Sequence, residues 1–348
     1  MKFSICIPNY NYEAYLGRTL ASVLEQKEVD LEVVIADNAS TDRSMEIVEE
    51  IGDARIRYQV NQCNVGFAGN LDRAARQATG ETLVMLSSDD LVRPSALATY
   101  ARLFDTVGPT DTVITAKMDV IDTDDRVIGA LGPDPSLWLE SDRSSQLSDL
   151  VGAPVYSTSS TELLQRALAR MRNPFNFAAT AYPRTLYDRV EGYGGGRLIN
   201  PDKWFHWRLL GVAKQALYVD APLFAYRWHA SNQTAQQEST KALKHLADEY
   251  ASTLEISADL LTKAGLDRVA FERAFLEYDI VRHGLGTLAR GGRARAKRIL
   301  RFGEATYPWH LKRIPGAWAL QGLLTLGPIG QWIARTAYET KRPEQTAW

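Results

Sequence analysis

Apolar and polar positions alternate in blocks over the first hundred residues. Phe3 to Ile7 is a short apolar run, stopped by the turn-forming Pro8-Asn9-Tyr10-Asn11. Leu16, Leu20, Val23 and Leu24 then recur at helical spacing. A second apolar run, Leu31 to Ala36, ends on Asp37-Asn38, and Ser40 and Asp42 open a helix near Thr41. The next stretch repeats the series of strand, loop, helix and strand. Its last strand, Leu83 to Leu86, ends in Ser87-Ser88-Asp89-Asp90, with a helix beginning near Pro94. Strands alternating with helices over connections this short predict an α/β fold whose sheet is mostly parallel, with right-handed crossovers. Polar residues gather at three successive strand ends, Pro8 to Asn11, Asp37-Asn38 and Ser87 to Asp90. All three fall on one edge of such a sheet, where open α/β sheets bind ligands.

The second half is patterned differently. Asn200 to Gly211, "NPDKWFHWRLLG", reads as a loop, an acidic cap and a short aromatic helix. Before it, Tyr193 and the triple glycine Gly194-Gly195-Gly196 read either as a loop over the site or as a simple turn. A strand ending at Trp228 and a polar turn follow. Apolar residues at helical spacing over Lys241 to Ala264 and over Val269 to Leu288 predict two helices, the second stopped by Gly291-Gly292. Three parts are expected: 1–120, 121–234, and a helical C-terminal extension over 235–348.

Adjacent carboxylates at a buried strand end repel one another. Asp89 and Asp90 either cap the following helix or hold a divalent cation that carries a diphosphate, since hard cations take carboxylate and phosphate oxygens together. No Gly-X-Gly-X-X-Gly follows the first strand, and no Gly-rich loop ends in Lys-Ser/Thr. Those absences argue against a dehydrogenase or a P-loop enzyme.

"PNYN" after the first strand, "VVIADNASTD", "NVGFAGNLDRAARQATGE" and the Asp89-Asp90 pair, in this order and spacing, resemble the nucleotide-sugar-binding half of family 2 glycosyltransferases. The resemblance is specific over roughly residues 2–95 and extends to about 232. It implies a GT-A fold and an inverting transfer of sugar from a UDP- or dTDP-linked donor to a saccharide or polyprenyl-linked saccharide acceptor, in bacterial surface polysaccharide synthesis. It also assigns roles. Asp37 would accept the imide N–H of a uracil or thymine, with Pro8, Asn9 and Tyr10 as the other wall. Asn64 and Gly66 would lie beside the nucleotide, and Asn70 would face the sugar-phosphate side. Ser88 and Asp89 would contact the donor. Asp89 and Asp90 would hold Mn2+ or Mg2+. Asp202 would be the general base, with Arg208 matching the family's arginine. Arg227 and His229 match a Tyr-Arg-X-His motif, Arg227 toward the donor and His229 toward metal or diphosphate. The chain departs from the family at Pro201, where an acid is usual. A catalytically inactive homologue serving as a nucleotide-sugar-binding or scaffolding protein is the alternative; the intact Asp37, Asp89, Asp90 and Asp202 speak against it.

Composition adds less. Cys6 and Cys63 form no disulfide framework or zinc spacing, so a reducing, cytoplasmic compartment is expected. No signal peptide and no apolar span of membrane-crossing length are visible in the 348 residues. The formal net charge is −2, yet Arg282 to Arg313 carries nine Lys/Arg against the single acid Glu304. Further on, Trp309, Trp318, Leu320, Leu323, Leu324 and Trp332 mix with these cations. That mixture predicts contact with an anionic membrane surface, peripheral on the inner face of the cell membrane, rather than with nucleic acid. Its alternative is a solvated face on packed helices.

Overall fold

The computed structural model describes residues 1–194, 198, 201–229, 232 and 242–339. Gly195, Gly196, Asn200 and Lys241, all drawn into the sequence reading, lie outside them. Contacts divide the chain into two units, residues 1–166 with 173–232, and residues 167–172 with 233–348.

In the first unit the opening runs form β1 (Lys2–Asn9), β2 (Asp30–Asp37), β3 (Ile56–Val60) and β4 (Thr82–Met85). Helices α1 (Glu13–Leu24), α2 (Ser44–Ile51) and α3 (Phe67–Gln77) connect them. The four strands are parallel in the order β3-β2-β1-β4, with Ile5 paired to Val33 on one side and to Val84 on the other. Leu16, Leu20 and Val23 of α1 pack against Phe3, Ile5, Ile7, Val33 and Ile35 in one buried cluster. The helical and strand periodicities therefore meet in a single core.

The rest of the unit adds β5 (Leu91–Val92), α4 (Ala96–Val107), β6 (Thr112–Ile121), β7 (Val127–Leu131), α5 (Ser145–Val151), β8 (Val155–Ser159), α6 (Ser160–Leu168), β9 (Ala181–Pro183), α7 (Arg184–Arg189), α8 (Pro201–Val212) and β10 (Gln215–Arg227). The 10-stranded sheet runs β3-β2-β1-β4-β9-β6-β10-β5, with β7 on β6 and β8 on β10. β9 is antiparallel to both β4 and β6, so the sheet is parallel in its first four strands and mixed beyond them. β6 continues across position 120, which joins the parts expected as 1–120 and 121–234 within one sheet. The two-residue β5 is too short to show periodicity. It pairs antiparallel with Phe224 and Ala225 and so brings the end of β10 beside Asp89-Asp90.

Glu32 interrupts the apolar run of β2 at the end of the sheet opposite the polar strand ends. Its carboxylate accepts from Ser4 Oγ at 2.6 Å, from Thr79 Oγ1 at 2.8 Å, and from the Thr79 and Gly80 amides. Lys2 and Arg57 pair with it at 3.3 and 2.9 Å. Burial pushes the carboxyl up, but these hydrogen bonds and the Arg57 charge outweigh burial and hold it at about 2. A pKa below the unfolded value of about 4.3 gives stability that is present above that value and is lost as pH falls toward 2. Glu32→Gln is expected to cost about 1–3 kcal/mol near neutral pH. In urea denaturation the gap from wild type should narrow steadily below about pH 4. A pH-independent gap would show that charge plays no part.

The second unit is helical. The stretch expected as one helix to Ala264 is two, Ala242–Glu255 and Ala258–Lys263, because the Ser257 side chain accepts from Leu260 N–H and starts a new helix. The next helix runs from Arg268 through a π-helical stretch, Leu276–Arg282, to Ala289, and stops before Gly291, as the sequence predicts. Arg293–Thr306, Pro308–Leu311, Pro315–Thr325 and Pro328–Glu339 follow. Proline at the start of the last three suits a position that needs no amide hydrogen. Gly330 lies so close to the Leu323 backbone that an added Cβ would sit 1.9 Å from the Leu323 carbonyl oxygen. Among the described residues no helix is long and apolar enough to cross a membrane.

Candidate active site

The C-terminal ends of β1, β2 and β4 lie side by side, and their polar residues form one hydrogen-bonded edge. Asn9 and Asp37 are direct partners in the β1–β2 register. Asn9 Nδ2 donates to Asp37 Oδ2 at 2.8 Å. Ser40 donates its backbone N–H to Asp37 Oδ1 at 2.9 Å and its hydroxyl to Oδ2 at 2.5 Å. Asp37 is fully buried, and the buried Asn9 Oδ1 beside it has no hydrogen-bond partner among the described residues. The Ser40 hydroxyl also accepts from the Asn11 amide. Ser40 is thus held by Asp37 and does not cap α2. Asp42 takes that place, accepting from the Ser44 and Glu13 amides. Between Asp37 and Ser40, Ala39 sits at φ 63°, a left-handed conformation that costs a non-glycine residue about 1–2 kcal/mol.

A chain of asparagine amides ties the loop after β3 to this edge. Asn38 Oδ1 accepts from Asn61 Nδ2 and the Val65 amide, and Asn38 Nδ2 donates to Asn64 Oδ1 at 2.8 Å. Asn64 Oδ1 accepts from Gly66 N–H as well. Gly66, at φ 79° and ψ 169°, occupies backbone space open essentially only to glycine. No atom lies within 4 Å of where its Cβ would be, so conformation rather than crowding selects the residue. Asn70 is buried, donating to Ala36 O at 2.8 Å and accepting from Asn61. The amide assigned to the sugar-phosphate side thus also fixes the end of β2. Tyr10 is exposed at the mouth, while Pro8 is buried and its carbonyl accepts from Ser88 Oγ at 2.8 Å.

At the end of β4 the acidic pair is buried. Arg227 on β10 holds the pair: its N–H donates to the Asp90 side-chain Oδ1 at 2.9 Å and its Nε donates to the Asp89 backbone carbonyl at 2.8 Å. The fully buried guanidinium reaches the Asp122 carbonyl and pairs with Asp125. His229 Nε2 lies 2.9 Å from Asp89 Oδ2, so the imidazole orients a carboxylate that the resemblance gives to the metal. Burial and the Asp89 charge push Asp90 well above the usual carboxylate range. The Arg227 amide, Ser87 and the guanidinium offset this in part. Tyr12, just before α1, and Tyr15 of α1 complete the wall. The Tyr15 ring lies 4.7 Å from the His229 ring and under the Arg227 guanidinium at 5.1 Å, and Tyr12 meets His229 edge-on. Neither tyrosine was picked out in the sequence, although their i, i+3 spacing just after a polar strand end is a usable signal.

Among the described residues no three His, Cys, Asp or Glu side chains are arranged to hold a metal by themselves. Two buried carboxylates, one raised by burial and by its neighbour's charge, instead suit a cation whose remaining ligands are phosphate oxygens and water, the usual habit of Mg2+.

Asp202 begins a second hydrogen-bonded group. It lies in the first turn of α8, and its Oδ2 accepts from Asn173 Nδ2 at 2.7 Å. Asn173 Oδ1 in turn lies 2.7 Å from His206 Nδ1. Burial pushes His206 down to about 3, so it is neutral, and with Asn173 Oδ1 as acceptor its proton sits on Nδ1. Sequence reading missed Asn173 and His206. The i, i+4 spacing of Asp202 and His206 was visible, but Asn173 comes from a distant loop. Trp207 is buried under the Lys203 ammonium and Trp204 stacks with Arg208. Arg208 donates to Val190 O and Gly192 O, holding the turn before Tyr193. Tyr193 is buried, stacked on Phe205 at 3.9 Å, and its amide donates to Asp72 of α3.

Residues 4–143 match the family described as Glycosyl transferase family 2. The chain is 36% identical over 132 residues to an uncharacterized glycosyltransferase of Nostoc sp., covering 37% of this chain and 40% of that protein. It is 33% identical over 101 residues to the GalNAc(5)-diNAcBac-PP-undecaprenol beta-1,3-glucosyltransferase of Campylobacter jejuni, covering 28% of this chain and 33% of that protein. The chain thus spans well under half the length of these curated relatives. The crystal structure of Staphylococcus aureus TarS 1–349 in complex with UDP-GlcNAc superposes over 99% of this chain and 93% of that one, with a TM-score of 0.64 at 18% identity. The fold is therefore that of a GT-A glycosyltransferase with a helical C-terminal region.

Proposed function

From the match of residues 4–143 to glycosyl transferase family 2, we propose that this protein transfers a sugar, with inversion, from a uridine or thymidine diphosphate donor to a saccharide or lipid-linked saccharide acceptor in the making of a bacterial surface glycan. The observation that carries the reading is the single edge on which Asn9, Asp37, Asn64, Gly66, Ser88, Asp89 and Asp90 meet. The bound UDP-GlcNAc of the TarS structure and the undecaprenol-linked substrate in the name of the Campylobacter enzyme support the donor and acceptor classes.

In this reading the base lies against Asp37, an ionised carboxylate being an acceptor suited to an imide N–H. Tyr10 and the Asn64–Gly66 loop flank it. Asp89 and Asp90, with His229 behind Asp89, would hold Mn2+ or Mg2+, whose charge would offset that of the leaving diphosphate. Arg227 fixes the Asp90 carboxylate and the Asp89 backbone, so the pair is positioned before donor arrives. Asp202 takes the proton of the acceptor hydroxyl. Asn173, itself held by His206, fixes its orientation.

Asp37→Ala is expected to weaken binding of uridine diphosphate by about 1.5–3 kcal/mol, the value of a hydrogen bond to a charged group. It should also lower stability, because Ser40 and Asn9 lose their acceptor. Calorimetric titration of the folded variant checks this. An affinity equal to wild type would leave Asp37 as a purely structural residue.

A further inference from the structure

The last helices of the second unit carry large apolar side chains that are exposed among the described residues. Trp309 is 76% exposed, Trp318 62%, Ile329 64% and Trp332 67%. Leu320 and Leu324, which the sequence groups with these tryptophans, are buried and belong to the unit's own core. Burial thus separates one stripe from the other along the same segment. On Pro315–Thr325 the inward residues are Ala317, Leu320 and Leu324, and Trp318 points out. On Pro328–Glu339 the inward residues are Gly330 and Ala334, while Ile329, Trp332 and Ile333, at i, i+3 and i+4, form the outward stripe.

Cations accompany the exposed rings. The Lys312 ammonium lies 5.3 Å from the Trp309 ring centre, and the Lys312 carbonyl accepts from Trp318 Nε1 at 2.9 Å, so the two tryptophans and Lys312 form one cluster with the exposed Arg313 beside it. Arg293 donates to the Leu324 carbonyl, and Arg290 lies against Tyr338, which places two more cations beside the last two helices. Tryptophan, with an apolar ring and a polar N–H, is suited to the boundary between headgroups and acyl chains.

We infer that this surface, centred on Trp309, Lys312, Trp318, Ile329 and Trp332, docks on an anionic lipid bilayer. Charge decides the occupant. A second copy of the chain would set cation against cation across the contact, whereas phosphate headgroups complement them. The apolar residues enter shallowly, as an interfacial surface does, since no described helix can span the bilayer. The inference rests on the fold of the second unit and stands independently of the transfer reaction.

The test is co-sedimentation of the full chain with phosphatidylcholine vesicles, with and without phosphatidylglycerol. Wild type is expected to bind only the anionic vesicles, with a blue shift of tryptophan emission and a partial loss at high salt. Trp309→Ser combined with Trp332→Ser should weaken binding roughly tenfold or more, and so should Lys312→Glu combined with Arg313→Glu. The charge-reversal pair removes no ring, so it remains informative should the tryptophan variant unfold. Uridine diphosphate binding should be unchanged in both. Absence of binding to anionic vesicles at low salt would overturn the proposal. So would self-association of wild type that the tryptophan variant abolishes, which would assign the face to a second copy.

Discussion

Asp90→Ala is expected to leave a folded protein whose sugar transfer falls by at least about 10²–10³-fold, the loss typical of removing one group that stabilises developing charge. Asp90 is the buried carboxylate at the end of β4 whose Oδ1 accepts from Arg227 N–H. Its removal leaves that amide without a partner, at a cost of about 1–3 kcal/mol, too little to unfold most domains. The larger loss falls on the diphosphate, which would face Asp89 alone. Donor affinity in the presence of manganese should drop with turnover, and added chelator should change the variant less than wild type. Turnover near wild type would reject the role.

Asp202→Asn is expected to act on the other half of the reaction. The amide keeps the shape of the carboxylate and can still accept from Asn173 Nδ2, so the α8 terminus and donor affinity should remain near wild type. Turnover should fall by roughly 10²–10⁴-fold, the range for loss of a general base. A base works only when deprotonated, so the wild-type rate should decline on the acid side, and that limb should vanish in the variant. Wild-type turnover in Asp202→Asn would return the residue to a helix-starting role. A product keeping the donor's anomeric configuration would reject single-step inversion itself.

The sequence showed the donor side more clearly than the acceptor side, for a physical reason. Parallel strands joined by short crossovers place their C-terminal ends on one edge, so Asn9, Asp37 and Asp90 could be brought together from local pattern alone. Arg227 and His229 arrive at Asp89-Asp90 because the two-residue β5 pairs with β10, a contact without periodicity that only the motif hinted at. Asn173 and His206 support Asp202 through a loop of the second half, and no spacing rule connects residue 173 to residue 202. Sequence reading did not single out Glu32 within the run Leu31 to Ala36, yet it is the centre of a buried hydrogen-bond group. In the helical unit the spacing gave the helices, but exposure was needed to separate Leu320 and Leu324 from Trp318 and Trp332.

Calorimetric titration of the purified chain with uridine, thymidine and guanosine diphosphates, in manganese, tests the central claim most directly. The account predicts saturable binding of the uridine or thymidine diphosphate at one site, with guanosine diphosphate bound at least roughly tenfold more weakly, because a purine does not present the same imide edge to Asp37 across the Asn9–Asp37 wall. The same titration in chelator should weaken binding further. Equal affinity for all three nucleotides, or no saturable binding of any, would contradict it.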